Sequence, residues 1–222
     1  MTPVILLSDG YIANGAEPWK FPKGADLETI TVNFKKRLED EEMKFLPYER
    51  DEKLVRPWAV PGTAGLEHRI GGLEKEDVTG NVSYDPDNHQ RMVKIRQEKV
   101  DRIADHIPLQ ALDSGPESGD VLVLGWGSTY GAITTACREL NEEGYDTAHV
   151  HLRYVNPFPK NLGEVLKGFD MVLIPEMNMG QLCQLIRAKY LVPAISYSKV
   201  QGLPFAVDEL KAKIVETLNS KK

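Results

Sequence analysis

Cysteine is nearly absent: 222 residues contain only Cys137 and Cys183. Neither belongs to a CxxC pair or a His-rich spacing, which excludes a disulfide framework and a metal knuckle. Both fall on apolar faces of separate predicted helices, so they read as buried thiols in a reducing compartment. Positive charge is also short, with 27 Lys and Arg against 33 Asp and Glu and a formal net charge of −6. Phosphate backbones and anionic bilayers reward clustered cations, so neither nucleic acid nor a membrane surface is an expected partner. No apolar run reaches the ~18 residues that span a bilayer. The start MTPVILLSDGYI lacks the basic region and cleavage site of a signal peptide. A soluble, cytoplasmic protein is expected.

Signatures of self-contained catalysis are missing too. There is no GxxxxGK(S/T) phosphate loop, no serine or cysteine nucleophile motif, and no carboxylate pair whose roles follow from spacing. What is present is a hydrophobic content of 41%, enough for a real core.

From about residue 120 the chain repeats a short apolar run, a turn and an amphipathic helix, the pattern of a parallel sheet covered by helices. Strands are predicted at 121–124, 148–155, 171–175 and 194–197. Helical stripes fall on Ile133, Ala136, Cys137 and Leu140, on Met179, Leu182, Cys183, Ile186 and Tyr190, and on Val207, Leu210, Ile214 and Leu218. Asp208 is the predicted N-cap of the last helix. The fold class is therefore α/β, a three-layer open and mostly parallel sheet with helices on both faces.

The first half differs. Residues 9–85 are rich in glycine and proline and poor in periodicity, with one short helix predicted at 29–42. So long a loop-rich stretch points to function carried by loops or to a segment lying on a partner, and the partner is favoured. A longer helix is predicted at 87–106, with Met92, Val93, Val100, Ile103 and Ile107 on its apolar side and Pro108 beyond it. TPVILLSDG reads as a buried strand ending in a tight turn, with nothing before it to supply neighbours. Met1 then reads as an artificial or internal beginning, and the chain as the tail of something longer.

Several short motifs invite chemistry. VLVLGWGSTYGA carries Gly125, Gly127 and Gly131 between a strand and a helix, where backbone N–H groups could meet an anion. A dinucleotide site wants an acid at the end of the next strand, about 20 residues on. Here that strand carries Arg153, which leaves an NADP reading open but favours a tight packing turn. His149 and His151 share a strand face but have no third ligand at a suitable spacing. In PEMNMGQL, Glu176 and Asn178 sit at the carboxyl end of a strand, where ligands or partners are met. Equally, Asn178 reads as a helix cap and Gly180 as a close-packing residue. Glu67, His68 and Arg69 lie in GTAGLEHRIGG, a glycine-flanked polar loop suited to contact with a substrate or subunit, or to plain solvation.

Taken together, VILLSDGYIANGAEPWKFP, GLEHRIGG, HQRMVKIRQEKVDRI, LGWGSTYGA, VNPFP and PEMNMGQL resemble the α subunit of 2-oxoacid:ferredoxin oxidoreductases, most closely the 2-oxoglutarate type. The segments follow the family's order and span nearly the whole chain. The resemblance implies an enzyme that oxidatively decarboxylates a 2-oxoacid with coenzyme A, using thiamine diphosphate, and passes electrons through iron–sulfur clusters to ferredoxin. It implies the end of a pyrimidine-binding thiamine domain plus linker loops at 1–85 and a transketolase C-terminal-like domain at 86–222. The thiamine-activating glutamate would lie upstream of Met1. Thiamine diphosphate, Mg²⁺ and the clusters would be held mainly by other chains, none by this chain alone, and two isolated cysteines cannot supply a cluster's four thiolates. The implied partners are the β subunit and other subunits, with ferredoxin met indirectly.

On this resemblance, Ser8, Asp9, Glu67, His68, Gly125, Gly127, Ser128, Glu176 and Asn178 face a partner or the active-site channel. None is a catalytic acid or base, and no residue is a metal ligand. The family more often has an acid after the Glu-His pair, where this chain has Arg69 and Ile70. The competing reading is a stand-alone nucleotide-binding or interaction module using the 125–131 turn.

Overall fold

The computed structural model describes residues 1–18, 20–36 and 44–220. Its elements, in chain order, are α1 (Gly10–Ala13), β1 (Phe34–Lys35), β2 (Trp58–Ala59), α2 (Pro86–Asp101), β3 (Gly119–Trp126), α3 (Tyr130–Glu142), β4 (Thr147–Leu152), α4 (Leu162–Lys167), β5 (Phe169–Glu176), α5 (Gln181–Tyr190), β6 (Ala194–Ser198) and α6 (Val207–Asn219). They fall into two compact units. One is Met1–Val4 with Glu17–His106, the other Ile5–Ala16 with Ile107–Lys222. The long helix α2 thus belongs to the first unit, and residues 5–16 pack with the α/β unit.

In the α/β unit the four long strands form one parallel sheet in the order β4-β3-β5-β6. Alternation along β3 sends Leu122 and Leu124 to one face, where Leu162 and Leu166 of α4 and Leu182 and Ile186 of α5 cover them. Val121 and Val123 point to the other face, against Ile133 and Leu140 of α3 and Leu210 and Ile214 of α6. Strands buried on both faces need apolar residues at every position, which is why these segments read as continuous runs. The three-layer α/β architecture expected from the sequence is the one present.

The N-terminal unit has a small core of Phe45, Ala59 and Leu66. Polar contacts tie residues 48–83 to α2. The helix opens on Asp85, whose carboxylate accepts the N–H of Asp87 at 2.9 Å, with Pro86 in its first turn. Asp77 pairs with Arg50 at 2.6 Å and Arg91 at 2.7 Å, and Glu74 with His89 at 2.6 Å and Arg96 at 3.1 Å. The Asn88 side chain accepts from the Asp77 N–H and donates to the Lys75 carbonyl, both at 2.9 Å. Residues 48–83 are therefore packed within the chain, whereas the sequence had the whole of 9–85 leaning on absent neighbours. The signal missed was polar: the side chains doing the tying are Arg, Asp, Glu and Asn.

Other elements differ from expectation for identifiable reasons. TPVILLSDG forms no strand, and Val4 and Leu6 are 92% and 90% exposed, because no described strand pairs with it. β4 stops at Leu152 and not at 155, because its partner β3 ends opposite at Trp126. Within 29–42, Phe34 and Lys35 pair in parallel with Trp58 and Ala59, not as helix, and 37–42 lie outside the described residues. The predicted 87–106 helix is α-helical to Asp101 and continues as a 3₁₀ turn to Asp105. Its buried stripe centres on Met92, leaving Val93 exposed. Met179 is 73% exposed because α5 begins only after the Asn178–Gly180 turn. Finally, Asp208 does not cap α6: Ala206 holds that place, and Glu209 reaches back to accept its N–H at 3.0 Å while pairing with Lys199 at 2.6 Å.

Candidate functional site

The strand order places a topological switch between β3 and β5, since the chain leaves β3 for β4 on one side and then crosses to β5 on the other. In open α/β sheets the crevice outside the carboxyl ends of such strands is where ligands are met. Here those ends are Trp126 and Glu176.

The Trp126 indole nitrogen donates to a Glu176 carboxylate oxygen at 3.3 Å. Glu176 is fully buried, and its carboxylate also accepts the backbone N–H groups of Leu182 at 2.9 Å and Cys183 at 3.1 Å. A negative group at a helix N-terminus satisfies orphan donors and meets the positive pole of the helix. Asn178 Oδ1 adds bonds from the N–H of Gly180 at 2.8 Å and Gln181 at 3.2 Å. Gly180 has φ of 86°, and a Cβ there would lie 2.6 Å from Ser196 Oγ. Both acidic and amide side chains of PEMNMGQL are thus engaged in fastening β5 to α5. Only the amide was weighed as a cap on sequence grounds.

Gly125 and Gly127 serve different ends. A Cβ on Gly125 would stand 2.6 Å from Ile133 Cδ1, 3.0 Å from Thr129 Oγ1 and 3.1 Å from His151 Nδ1, so its bareness lets α3 and β4 close on β3. Gly127 has open space around it but a φ of 61°, the left-handed conformation the turn requires. Thr129 closes that turn by accepting the Trp126 N–H at 3.2 Å and donating to the Trp126 carbonyl at 2.9 Å.

A cleft of about 250 Å³ opens over these strand ends. Leu7, Ser8 and Asp9 form one wall; Trp126, Gly127, Ser128 and Thr129 come from the β3 turn, and Met177 and Asn178 from the β5 turn. Five of the singled-out residues, Ser8, Asp9, Gly127, Ser128 and Asn178, therefore meet at one crevice, while Gly125 and Glu176 act beneath it in packing and capping. Asp9 begins α1, its carboxylate accepting the Tyr11 N–H at 3.0 Å. Glu67 and His68 belong to the other unit. There His68 Nδ1 lies 2.8 Å from the Leu66 carbonyl and its ring packs edge-on to Phe45 at 5.1 Å, while Glu67 is exposed. Sequence reasoning passed over Trp126, Met177 and Leu7. A tryptophan between two glycines at a strand end was the available signal.

His149 and His151 do share a face, with ring centroids 6.0 Å apart and the Tyr130 ring 5.6 Å and 5.0 Å away. Thr134 Oγ1 lies 3.3 Å from His149 Nδ1, and the Asp113 carboxylate accepts the His151 N–H at 2.7 Å. Burial pushes the His149 imidazole down to about 4 and lowers that of His151 as well. Among the described residues no group of three His, Cys, Asp or Glu comes together to hold a metal. The thiols of Cys137 and Cys183 lie in the cores on opposite faces of the sheet, and burial raises the first to about 11 and the second above its usual value. They stay protonated and apart, and do not fit an iron–sulfur cluster. Among the described residues lining the crevice Asp9 is the sole charged one, and none is a cation that could meet a diphosphate.

Comparison with known proteins gives this architecture relatives. Residues 119–210 match the family model of pyruvate:ferredoxin oxidoreductase core domain II. The chain is 51% identical over 210 residues to the 2-oxoglutarate oxidoreductase subunit KorA of Mycobacterium tuberculosis, covering 94% of this chain and 31% of that protein. It is 31% identical over 224 residues to subunit alpha of 2-oxoacid:ferredoxin oxidoreductase 2 of Aeropyrum pernix, covering 97% and 34%. Among solved structures, the 2-oxoglutarate:ferredoxin oxidoreductase from Magnetococcus marinus with 2-oxoglutarate, coenzyme A and succinyl-CoA bound superposes with a TM-score of 0.79 at 28% identity, over 89% of this chain and 34% of that one. The chain thus spans about a third of the length of the relatives it matches. Over nearly its whole length it is similar to α subunits of 2-oxoacid:ferredoxin oxidoreductases, and residues 119–210 match the core domain II family model.

Proposed function

We propose that this chain supplies the C-terminal part of the α subunit of a thiamine diphosphate-dependent 2-oxoacid:ferredoxin oxidoreductase acting on 2-oxoglutarate in the cytoplasm. The whole enzyme would decarboxylate the 2-oxoacid oxidatively, join the acyl group to coenzyme A and pass the electrons through iron–sulfur clusters to ferredoxin. Thiamine diphosphate supplies the carbon chemistry when bound, and its diphosphate, its Mg²⁺ and the clusters fit other chains better than this one. The role left to these residues is to shape and assemble the active centre against the β subunit.

The observation that carries the reading is the convergence of Ser8 and Asp9 with Gly127, Ser128 and Asn178 at the switch-point crevice. It pairs an uncatalytic lining with a position where ligands or partner surfaces are met. The stand-alone nucleotide module gains nothing from the structure, because Gly125 is filled against by Ile133, Thr129 and His151.

The deciding experiment measures 2-oxoglutarate-dependent acyl-CoA formation coupled to ferredoxin reduction. The chain alone is expected to be silent, and activity is expected once the upstream α segments and the β subunit are supplied. Turnover by the chain alone would remove the assembly role. A reconstituted complex that prefers a different 2-oxoacid would remove the substrate assignment, and tight NADP binding by the chain would restore the nucleotide reading.

A further inference from the structure

Asn14 is the one asparagine of the chain that glycine follows, in GYIANGAEP. It stands in the turn that ends α1, and residues 13–18 are all exposed. Two backbone bonds make that helix, from the N–H of Ala13 to the Asp9 carbonyl at 2.9 Å and from that of Asn14 to the Gly10 carbonyl at 3.1 Å. A single turn is marginal in water, so it opens at little cost. The Asn14 side chain braces it, because Nδ2 donates to the same Gly10 carbonyl at 2.8 Å.

Among the described residues the Gly15 N–H enters no hydrogen bond, and Gly15 lies outside every helix and strand. Glycine has no Cβ to bar the approach of its own nitrogen to the preceding side chain, and its backbone reaches conformations that other residues avoid. An amide carbon beside an exposed, unbonded backbone nitrogen is placed for intramolecular ring closure. Every other asparagine precedes a residue with a side chain. Asn81 is equally exposed, but the branched side chain of Val82 crowds the same approach.

We propose that Asn14–Gly15 is a site of spontaneous deamidation through a cyclic imide. The Gly15 nitrogen bonds to Asn14 Cγ, the Cγ–Nδ2 bond breaks, and ammonia leaves with the proton that Gly15 gives up. Water then opens either carbonyl–nitrogen bond of the ring, giving isoaspartate or aspartate, and nothing is oxidised or reduced. Both products put a carboxylate where a donor stood, so the brace on the Gly10 carbonyl is lost. Because α1 follows directly on Ser8 and Asp9, the change loosens the segment that walls the switch-point crevice. The chemistry is independent of the activity assigned above.

The full chain, aged in mildly alkaline buffer at physiological temperature and mapped by peptide mass spectrometry, is expected to show an amide-to-acid exchange at Asn14 while Asn81 stays intact. Isoaspartate should appear beside aspartate when read by enzymatic methylation. Gly15→Val is expected to slow the exchange at least about tenfold, since a branched side chain raises the barrier to closure. Asn14→Asp, which carries the product's charge from the start, should speed amide hydrogen exchange at Ala13 about fivefold, the worth of one exposed hydrogen bond. An Asn14 that ages no faster than Asn81 overturns the site, and acid formed without isoaspartate overturns the cyclic route. Unchanged hydrogen exchange in Asn14→Asp overturns the bracing of α1.

Discussion

The indole N–H of Trp126 and the buried carboxylate of Glu176 meet at 3.3 Å across the ends of two neighbouring strands. The same carboxylate holds two backbone N–H groups of α5, so one side chain joins β3, β5 and α5. Glu176→Ala takes this partner from two buried backbone donors and from the half-buried Trp126 indole N–H. At about 1–3 kcal/mol for an unsatisfied group, partly recovered by water, a loss of roughly 3 kcal/mol in unfolding free energy is expected. Urea unfolding followed by tryptophan emission checks this. A change within about 0.5 kcal/mol would mean the carboxylate is not holding the helix.

The buried histidines set an acid limit on the α/β unit. His149 has a folded pKa near 4, below its ordinary 6.5, because burial disfavours the imidazolium. The unfolded chain therefore binds the extra proton first, so stability is full above pH 6.5 and falls as pH drops toward 4. The shift corresponds to about 3 kcal/mol at most, and His151, lowered for the same reason, adds to it. Unfolding free energies at pH 7.5, 6 and 5 should decline in that order. Glu74 acts in a lower window, since its hydrogen bonds from Arg96 and His89 hold it near 2 against an ordinary 4.5. Its contribution is present above pH 4.5 and lost only below it. A flat stability profile from pH 7.5 to 5 would show that His149 is not held neutral.

The α/β half was legible because its apolar runs and helical stripes report burial directly, as with Val121 to Leu124 on the sheet and Ile133, Cys137 and Leu140 on α3. The N-terminal unit was not, because Arg50, Asp77, Glu74 and Asn88 hold it by pairing across more than ten residues of sequence, and pairing leaves no periodic mark. At the crevice, GWGS and PEMN were visible as strand-to-helix turns. That Glu176 would point inward was hidden by its charge, since an isolated Glu is expected at the surface. Which residues would wall the crevice from outside was hidden because Leu7, Ser8 and Asp9 are over a hundred positions away from Trp126.

The two glycines of GWG should respond differently to a methyl group. Gly125→Ala brings Cβ within 2.6 Å of Ile133 and 3.0 Å of Thr129, an overpacking expected to cost about 2–3 kcal/mol. Gly127→Ala meets no atom but forces a left-handed residue, expected to cost about 1 kcal/mol. Melting curves of the two variants distinguish these. Equal effects would contradict the division of labour between packing and turn geometry.

Under the proposed function, filling the crevice tests whether it matters to an assembled enzyme. Ser8 is exposed on its wall, so Ser8→Trp places a large ring over Gly127 and Asn178 without entering the core. The melting temperature of the chain should stay within the small range of surface substitutions, about ±0.5 kcal/mol in free-energy terms. In the reconstituted complex with the β subunit, kcat/KM for the 2-oxoacid should fall at least about tenfold, a loss of roughly 1.4 kcal/mol in transition-state stabilisation. If subunit association is what the crevice serves, the affinity between chains falls while kcat at saturating β subunit is kept. If it borders the reacting groups, kcat falls even when the complex is fully formed. A variant with native assembly and native kcat/KM would place the crevice outside the working surface of the enzyme.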